Sequence, residues 1–273
     1  MTHVTTLERQ PLNPRFTIIL ATTVLLVGAF FLLPGTVARV LSPEGITTGM
    51  LAESVGVAFS QWWTSAAAPL TPGMEAVVSF WAVFHVTKVV VAIALLIALL
   101  LTGHEVWKAY ARATGRVARA GIALLGIAGA PLAPLMLLIV MANVQGSLAP
   151  LSSVMGLLPM DGSVPEVAEV QAQFAAGTST PVLDALISDF RTYHLVVVVV
   201  AVIAALLVVA ADIVLWIRWS RIVRQDVRLR RVTATVAIVL PALAPVLLFI
   251  MVVNLSTVAE TAPALAAFFQ GSL

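Results

Sequence analysis

Five long apolar stretches alternate with shorter polar segments along the chain, at 16–37, 77–101, 121–142, 195–217 and 232–255. A segment of about 20 mainly apolar residues is long enough to cross the hydrocarbon core of a bilayer, which is about 30 Å thick. Lipid offers no hydrogen-bonding partners, so a backbone that crosses it must pair its own polar groups, as a helix does. The pattern predicts an all-α integral membrane protein with five transmembrane helices.

Polar, aromatic and proline positions recur in one register between the two halves of the chain. At a spacing of 109 residues, the matched pairs are Thr71 and Thr180, Pro72 and Pro181, Glu75 and Asp184, Ser79 and Ser188, His85 and His194, Trp107 and Trp216, Arg112 and Arg221, and Arg119 and Arg228. After a two-residue insertion, the match resumes with Pro134 and Pro245 and with Asn143 and Asn254. Such matches carry more weight than apolar ones, which any two hydrophobic segments share. We expect a duplicated two-helix hairpin whose copies have the same orientation, as in parallel internal repeats.

The duplication divides the chain into three parts. Residues 1–41 contain an N-terminal cytoplasmic tail and the first span, residues 42–160 form the first repeat unit, and residues 161–273 form the second. Each unit begins with a connection, at 42–70 and 163–177, that contains apolar residues at helical spacing. These connections predict short amphipathic helices on the outer membrane face.

Basic residues are distributed unevenly between the connections. Twelve of the fifteen lie before the first span or in the second-to-third and fourth-to-fifth connections: Arg9, Arg15, Lys108, Arg112, Arg116, Arg119, Arg218, Arg221, Arg224, Arg228, Arg230 and Arg231. Because loops rich in Lys and Arg stay in the cytoplasm, this bias predicts a protein of the cytoplasmic membrane with its N-terminus inside and its C-terminus outside.

Composition agrees with this class and excludes others. Sixty per cent of the residues are hydrophobic and ten per cent are charged, which lies outside the range of soluble domains. The net charge of +2 follows from the predicted topology and gives no support to nucleic-acid binding. The absence of cysteine excludes disulfides and thiolate metal sites. Motifs for nucleotide binding and hydrolysis are absent too, so we expect no enzyme, no cofactor and no metal site.

Five polar residues within or beside the spans form a candidate binding site: His85, Lys88, Asn143, His194 and Asn254. Each histidine precedes an interfacial tryptophan by 22 residues, about 33 Å of helix, so both histidines lie near the outer boundary. Polar groups there tend to face a cavity or the bundle interior. A pseudo-twofold arrangement of the repeats would bring the two histidines and the two asparagines together. The alternative is that each residue fixes helix packing, with Lys88 extending towards the headgroups.

Two further features of the spans stand out. Prolines recur in the third and fifth spans, at Pro131 and Pro134 and at Pro241 and Pro245, where they predict kinks or hinges. Asp212 is the only acid within an apolar stretch. We expect it to pair with Arg218 or with another arginine of the inner loops, because an unpaired charge near lipid is costly.

These features favour a non-enzymatic, multi-pass protein that serves as a membrane-embedded subunit or scaffold of a larger assembly. Its expected partners are the lipid bilayer and either another protein or further copies of the same chain. The first alternative is a small-solute transporter whose site lies at the outer face between the two repeats. The second is a haem- or quinone-binding membrane anchor, since two histidines at equal depth suit axial ligation.

Overall fold

The computed structural model describes residues 14–42 and 45–271, and all regular elements within them are helical. The α-helices are α1 (Pro14–Leu41), α2 (Leu51–Thr64), α3 (Pro72–Arg112), α4 (Arg116–Gly129), α5 (Leu132–Leu148), α6 (Pro150–Met155), α7 (Glu166–Ala176), α8 (Pro181–Arg221), α9 (Val227–Val239), α10 (Leu243–Ala259) and α11 (Thr261–Phe269). A 3₁₀ turn, Leu240–Ala242, joins α9 to α10. The predicted N-terminal tail, residues 1–13, lies outside the described residues.

Five helical segments of the described chain are long and apolar enough to cross a membrane: Pro14–Leu41, Pro72–Arg112, Arg116–Leu148, Pro181–Arg221 and Val227–Ala259. Each contains one of the predicted apolar stretches, so the five candidate spans are confirmed and indicate a multi-pass membrane protein. The helices exceed these stretches because polar residues continue them at both ends. At 41 residues each, α3 and α8 are about 60 Å long, roughly twice the thickness of a hydrocarbon core.

Both 41-residue helices begin at a proline. The preceding residue, Thr71 or Thr180, has an extended backbone, and the missing N–H of proline costs nothing in the first turn. The Thr180 hydroxyl accepts a hydrogen bond from the N–H of Leu183 at 3.3 Å. The Thr71 hydroxyl is buried and has no such partner among the described residues. The predicted helix starts are therefore confirmed, and the side-chain cap forms only at Thr180.

The third and fifth spans are interrupted at prolines. Two residues that include Pro131 separate α4 from α5, and the 3₁₀ turn between α9 and α10 contains Pro241. Pro134 and Pro245 lie in the first turn of α5 and of α10, where a backbone N–H has no intrahelical partner. The helices therefore break at Pro131 and Pro241, and the second proline of each pair lies in the first turn of the new helix without further loss of hydrogen bonds.

The connections from α3 to α4 and from α8 to α9 differ in length. The first consists of residues 113–115 and the second of residues 222–226. Counted from the helix starts, Arg119 has the same position in α4 as Arg230 has in α9.

The long helices pack side by side in the order α1, α3, α5, α8 and α10. One small core between α1, α3 and α5 contains Phe30, Val91, Ala92, Leu95 and Met136. A second, between α5, α8 and α10, contains Met141, Ala201, Ala204, Val208 and Leu247. Alanines in both cores let neighbouring backbones approach closely, which favours helix association in lipid. The first span therefore packs against α3 of its own chain.

The largest core lies at one end of the bundle, where α2, α6, α7 and α11 pack against the starts of α3 and α8. We call it the end core. Its largest fully buried side chains include Trp62, Phe59, Phe80 and Phe269. The sequence predicts α2 and α7 but misses α6 and α11. Each missed helix follows a span after a sharp backbone bend, at Ala149 or Glu260.

Hydrogen bonds at the end core join α7 to helices distant in sequence. Ser60 Oγ donates to Glu166 Oε2 at 2.6 Å, and Trp63 Nε1 donates to Glu169 Oε2 at 2.9 Å. On the other side of α7, Gln171 Nε2 donates to the backbone carbonyl of Phe269 at 2.7 Å. The short helices therefore form one layer rather than independent connections.

Replacement of Phe59 by alanine should destabilise the protein by about 3–5 kcal/mol, because it removes a fully buried aromatic ring and leaves a cavity. The matched control is Val57→Ala in the same helix, where the side chain is 56% exposed. Melting temperatures in detergent measure both effects. Equal melting temperatures for the two variants would contradict the assignment of α2 to the end core.

Candidate functional site

Each predicted histidine contacts the predicted asparagine of its own unit. His85 on α3 and Asn143 on α5 are joined by a hydrogen bond of 2.9 Å between Nδ1 and Oδ1. His194 on α8 and Asn254 on α10 are joined by the same pair of atoms at 2.7 Å. Each of these bonds links two neighbouring spans. The sequence had indicated the four residues, and the structure shows how they pair.

The asparagines determine which imidazole nitrogen carries hydrogen. Asn143 Nδ2 donates to the carbonyl of Ile139 at 2.7 Å, and Asn254 Nδ2 donates to the carbonyl of Ile250 at 2.7 Å. These bonds to the asparagine's own helix turn Oδ1 towards the histidine. An amide oxygen can only accept, so Nδ1 must donate. In the neutral imidazole, Nε2 is then left as an acceptor.

The two Nε2 atoms have different surroundings. His85 Nε2 lies 3.5 Å from the hydroxyl of Ser153, at the limit of a hydrogen bond. His194 Nε2 is buried and has no hydrogen-bond partner in the described part of the chain. Its ring lies against those of Phe190 and Tyr193, with centroid distances of 4.5 and 5.3 Å. The second pair therefore has an unused acceptor that the first pair lacks.

Ser153 lies on the short helix α6, which links the two units. Its Oγ accepts a hydrogen bond from Trp81 Nε1 at 2.9 Å, which leaves the hydroxyl hydrogen available for His85 Nε2. The preceding residue, Ser152, is hydrogen-bonded to Asp189 on α8. The helix α6 thereby connects the His85 pair to the helix that carries His194. Sequence reasoning missed Ser153 because it did not predict α6.

Asp189 anchors the same short helix to α8. Its Oδ2 accepts hydrogen bonds from the backbone N–H of Ser152 at 2.7 Å and from the Ser152 hydroxyl at 2.6 Å. At the matched position of the first unit the chain has Phe80, which is buried in the end core. An acid in place of a buried aromatic residue was the sequence signal that could have identified Asp189.

Gly146 makes room for the His85 ring. A Cβ at this position would lie 2.8 Å from Cδ2, Cε1 and Nδ1 of that imidazole. Real Cβ atoms almost never approach so closely, so only glycine is compatible with this contact between α3 and α5. Gly146 is one turn from Asn143, and together they define the surface of α5 that receives the histidine.

Lys88 faces α1 in the structure. Its Nζ lies 5.1 Å from the ring centroid of Phe30 on α1 and 4.8 Å from that of Phe84, as in cation–π contacts. No described contact joins His85 to His194 or Asn143 to Asn254. The five predicted residues therefore form two separate pairs and one lysine held by aromatic rings. No group of three or more His, Cys, Asp or Glu residues suited to a metal occurs in the described residues.

The predicted ion pair between Asp212 and Arg218 does not form. The ion pair recorded among the described residues is Lys108 with Glu105, and one carboxylate oxygen of Asp212 is buried without a hydrogen-bond partner there. Six residues along a helix correspond to a rotation of about 240°, so Asp212 and Arg218 lie on different faces of α8.

Comparisons with family models, with curated proteins and with solved structures find no match to this chain. Its function must therefore be inferred from its own residues and contacts.

Replacement of Gly146 by alanine should destabilise the protein by about 1–3 kcal/mol, because the added methyl group must displace the His85 ring. The matched control is Gly103→Ala on α3, where a Cβ meets nothing within 4 Å. This control should be stabilised by up to about 1 kcal/mol through helix propensity. Thermal unfolding in detergent compares the two variants. A Gly146→Ala protein as stable as the control would show that His85 does not pack against α5.

Proposed function

We propose that this protein is a non-enzymatic, membrane-embedded subunit or scaffold of a larger assembly in a cytoplasmic membrane. The observation that supports this most strongly is how little of each span is covered by the chain itself. At most 22% of the most apolar window of any span is buried, and the figure for Arg116–Leu148 is 6%. No residue of α4 is buried. The spans therefore leave most of their apolar surface to lipid and to the helices of a partner or a second copy.

The polar contacts support the same proposal. The His85–Asn143 and His194–Asn254 hydrogen bonds each join two adjacent spans, as expected for groups that determine helix packing in lipid. Ser152 and Ser153 use their hydroxyls to hold α6 between α3 and α8. Side chains used in this way favour a structural role over turnover of a substrate.

We further propose that the two hairpins are copies with the same orientation. Several observations support this: α3 and α8 have 41 residues each, and α5 and α10 have 17 each. The bends after α5 and α10 have similar backbone angles, with φ −131° and ψ 66° at Ala149 and φ −117° and ψ 51° at Glu260. Both 41-residue helices begin at the end core, which is the arrangement of a parallel repeat.

A small-solute transporter is the second candidate. Nε2 of His194 is buried and has no partner among the described residues, which favours this role because such an acceptor is available to a ligand with a hydrogen-bond donor. The breaks at Pro131 and Pro241 are consistent with hinges. In this case we place the solute beside His194 and Asn254.

Gentle extraction of tagged protein from native membranes, followed by mass spectrometry and an absorption spectrum, tests these roles. We expect a stoichiometric protein partner, or a homo-oligomer, because the spans bury so little of their own surface. A colourless monomer without partners would contradict the subunit proposal and favour transport. Loss of solute flux in a His194→Phe variant, compared with a Val197→Phe control on the same helix, would then support the second candidate. A Soret band would instead identify the haem anchor.

Cysteine labelling tests the proposed topology without background, because the natural chain contains no cysteine. Thr178→Cys, before α8, should react with a membrane-impermeant maleimide in intact cells. Thr114→Cys, between α3 and α4, should react only after the membrane is opened. Both positions are exposed, so access to the reagent depends on the side of the membrane. The reverse pattern would place the N-terminus outside, and labelling of both variants in intact cells would contradict the assignment of Arg116–Leu148 as a span.

A further inference from the structure

A groove of about 280 Å³ lies where α3 ends and α4 begins, at the opposite end of the bundle from the end core. Its lining residues are Tyr110, Arg116, Arg119, Ala120 and Ala123. The polar part consists of two guanidinium groups and a phenol. The apolar part consists of two alanines on one face of α4. The groove therefore combines positive charge with an apolar surface that continues along a candidate span.

No carboxylate of the described residues neutralises the positive charge of the groove. Neither Arg116 nor Arg119 forms an ion pair with a carboxylate in the described residues. The nearby carboxylate of Glu105 is already bound to Lys108 at 2.8 Å. Arg119 Nε donates to the carbonyl of Gly115 at 3.3 Å, which anchors the guanidinium at the start of α4 and leaves its terminal amino groups for another acceptor.

The corresponding place in the second unit already contains an anion. There Asp226 is the N-cap residue that precedes α9, and its Oδ1 accepts a hydrogen bond from the N–H of Leu229 at 3.2 Å. In the first unit Gly115 is the N-cap residue that precedes α4, and neither a side-chain cap nor an acid in the first turn is present. The two helix starts differ in this respect although both are flanked by arginines. The carboxylate of Asp226 thus marks the position of a negative charge that the first unit lacks.

The apolar wall of the groove is open to lipid. Leu124 and Leu125 on α4 are 68% and 69% exposed, and no residue of α4 is buried. On the α3 side, the Trp107 ring lies 3.1 Å from where a Cβ of Gly126 would be, and it contacts Tyr110 at 5.8 Å between ring centroids. A hydrocarbon chain that enters from the groove can therefore follow α4 past the Trp107 ring.

We propose that this groove binds the headgroup phosphate of an anionic phospholipid, with the acyl chains lying along α4. Arg116 and Arg119 donate charge-assisted hydrogen bonds to the phosphate oxygens, and the Tyr110 hydroxyl supplies a further donor. The free N–H groups at the start of α4 add to the attraction for an anion. The ligand class is a phosphodiester, and the apolar wall favours its lipid form over free phosphate.

The test measures retention of phosphatidylglycerol by protein purified in a neutral detergent. The Arg116→Gln/Arg119→Gln double variant should bind this lipid about thirtyfold more weakly, because basic residues near a membrane surface contribute about 1 kcal/mol each to anionic lipid binding. The control is Arg221→Gln/Arg231→Gln, which removes two exposed charges at the same end but outside the groove. This control should retain the lipid as the natural protein does.

A Gly115→Asp variant tests the same site without removing an arginine. A Cβ at Gly115 meets only Ala118 Cβ, at 4.0 Å, so aspartate fits without strain. The new carboxylate should cap α4 as Asp226 caps α9, raise the melting temperature of the lipid-free protein and reduce lipid retention. A higher melting temperature would show that the variant is folded, so its loss of lipid could not be attributed to unfolding.

Three results would overturn the proposal. Equal loss of lipid from the control and the groove variant would indicate diffuse attraction to the basic end. Retention of phosphatidylcholine equal to that of phosphatidylglycerol would exclude recognition of the anionic headgroup. The third result would be that inorganic phosphate stabilises the protein against heat as much as phosphatidylglycerol does, with the effect lost in the Arg116→Gln/Arg119→Gln variant. This result would identify the ligand as a free phosphate rather than a lipid.

Discussion

Polar groups near lipid must find their hydrogen-bonding partners within the protein, and the arrangement of the five spans depends on this constraint. The His85–Asn143 pair requires α3 and α5 to meet at one depth and rotation, and the His194–Asn254 pair does the same for α8 and α10. Small cores rich in alanine then fill the contacts between the spans. Apolar packing alone would allow these helices to slide or rotate, since the lipid is as apolar as their side chains.

Much of the fold could be predicted from hydrophobic pattern and local chemistry. The spans, the proline starts of α3 and α8 and the short helices α2 and α7 all depend on signals within a few residues. The breaks could be predicted only approximately, because two prolines lie close together and tertiary packing decides which one interrupts the helix. The pairing of Asp212 with Arg218 was wrong for a simpler reason: charge complementarity was considered without the angle between the residues around the helix.

The candidate site was less accessible to sequence reasoning. The histidines could be placed at one end by counting residues to the tryptophans, yet their pairing with the asparagines depends on the rotation of each helix. Ser153 and Asp189 could not be foreseen, because their partners lie across a contact between α6 and the long helices. Gly146 is visible only once the His85 ring lies against it. In each case the missing information is the relative position of two helices, which no local pattern contains.

The link through α6 has a mechanical consequence. At the end core, the Ser153 hydroxyl contacts Trp81 and His85 on α3, and Asp189 on α8 binds the neighbouring Ser152. At the far end, the described contacts between the units include one hydrogen bond, from Arg228 to the carbonyl of Ala113. The two units are therefore joined by more hydrogen bonds at the end core than at the opposite end, where they can move apart more easily. Bending forces from the bilayer would act on α4 and α9, which precede Pro131 and Pro241, while the His–Asn pairs keep their geometry.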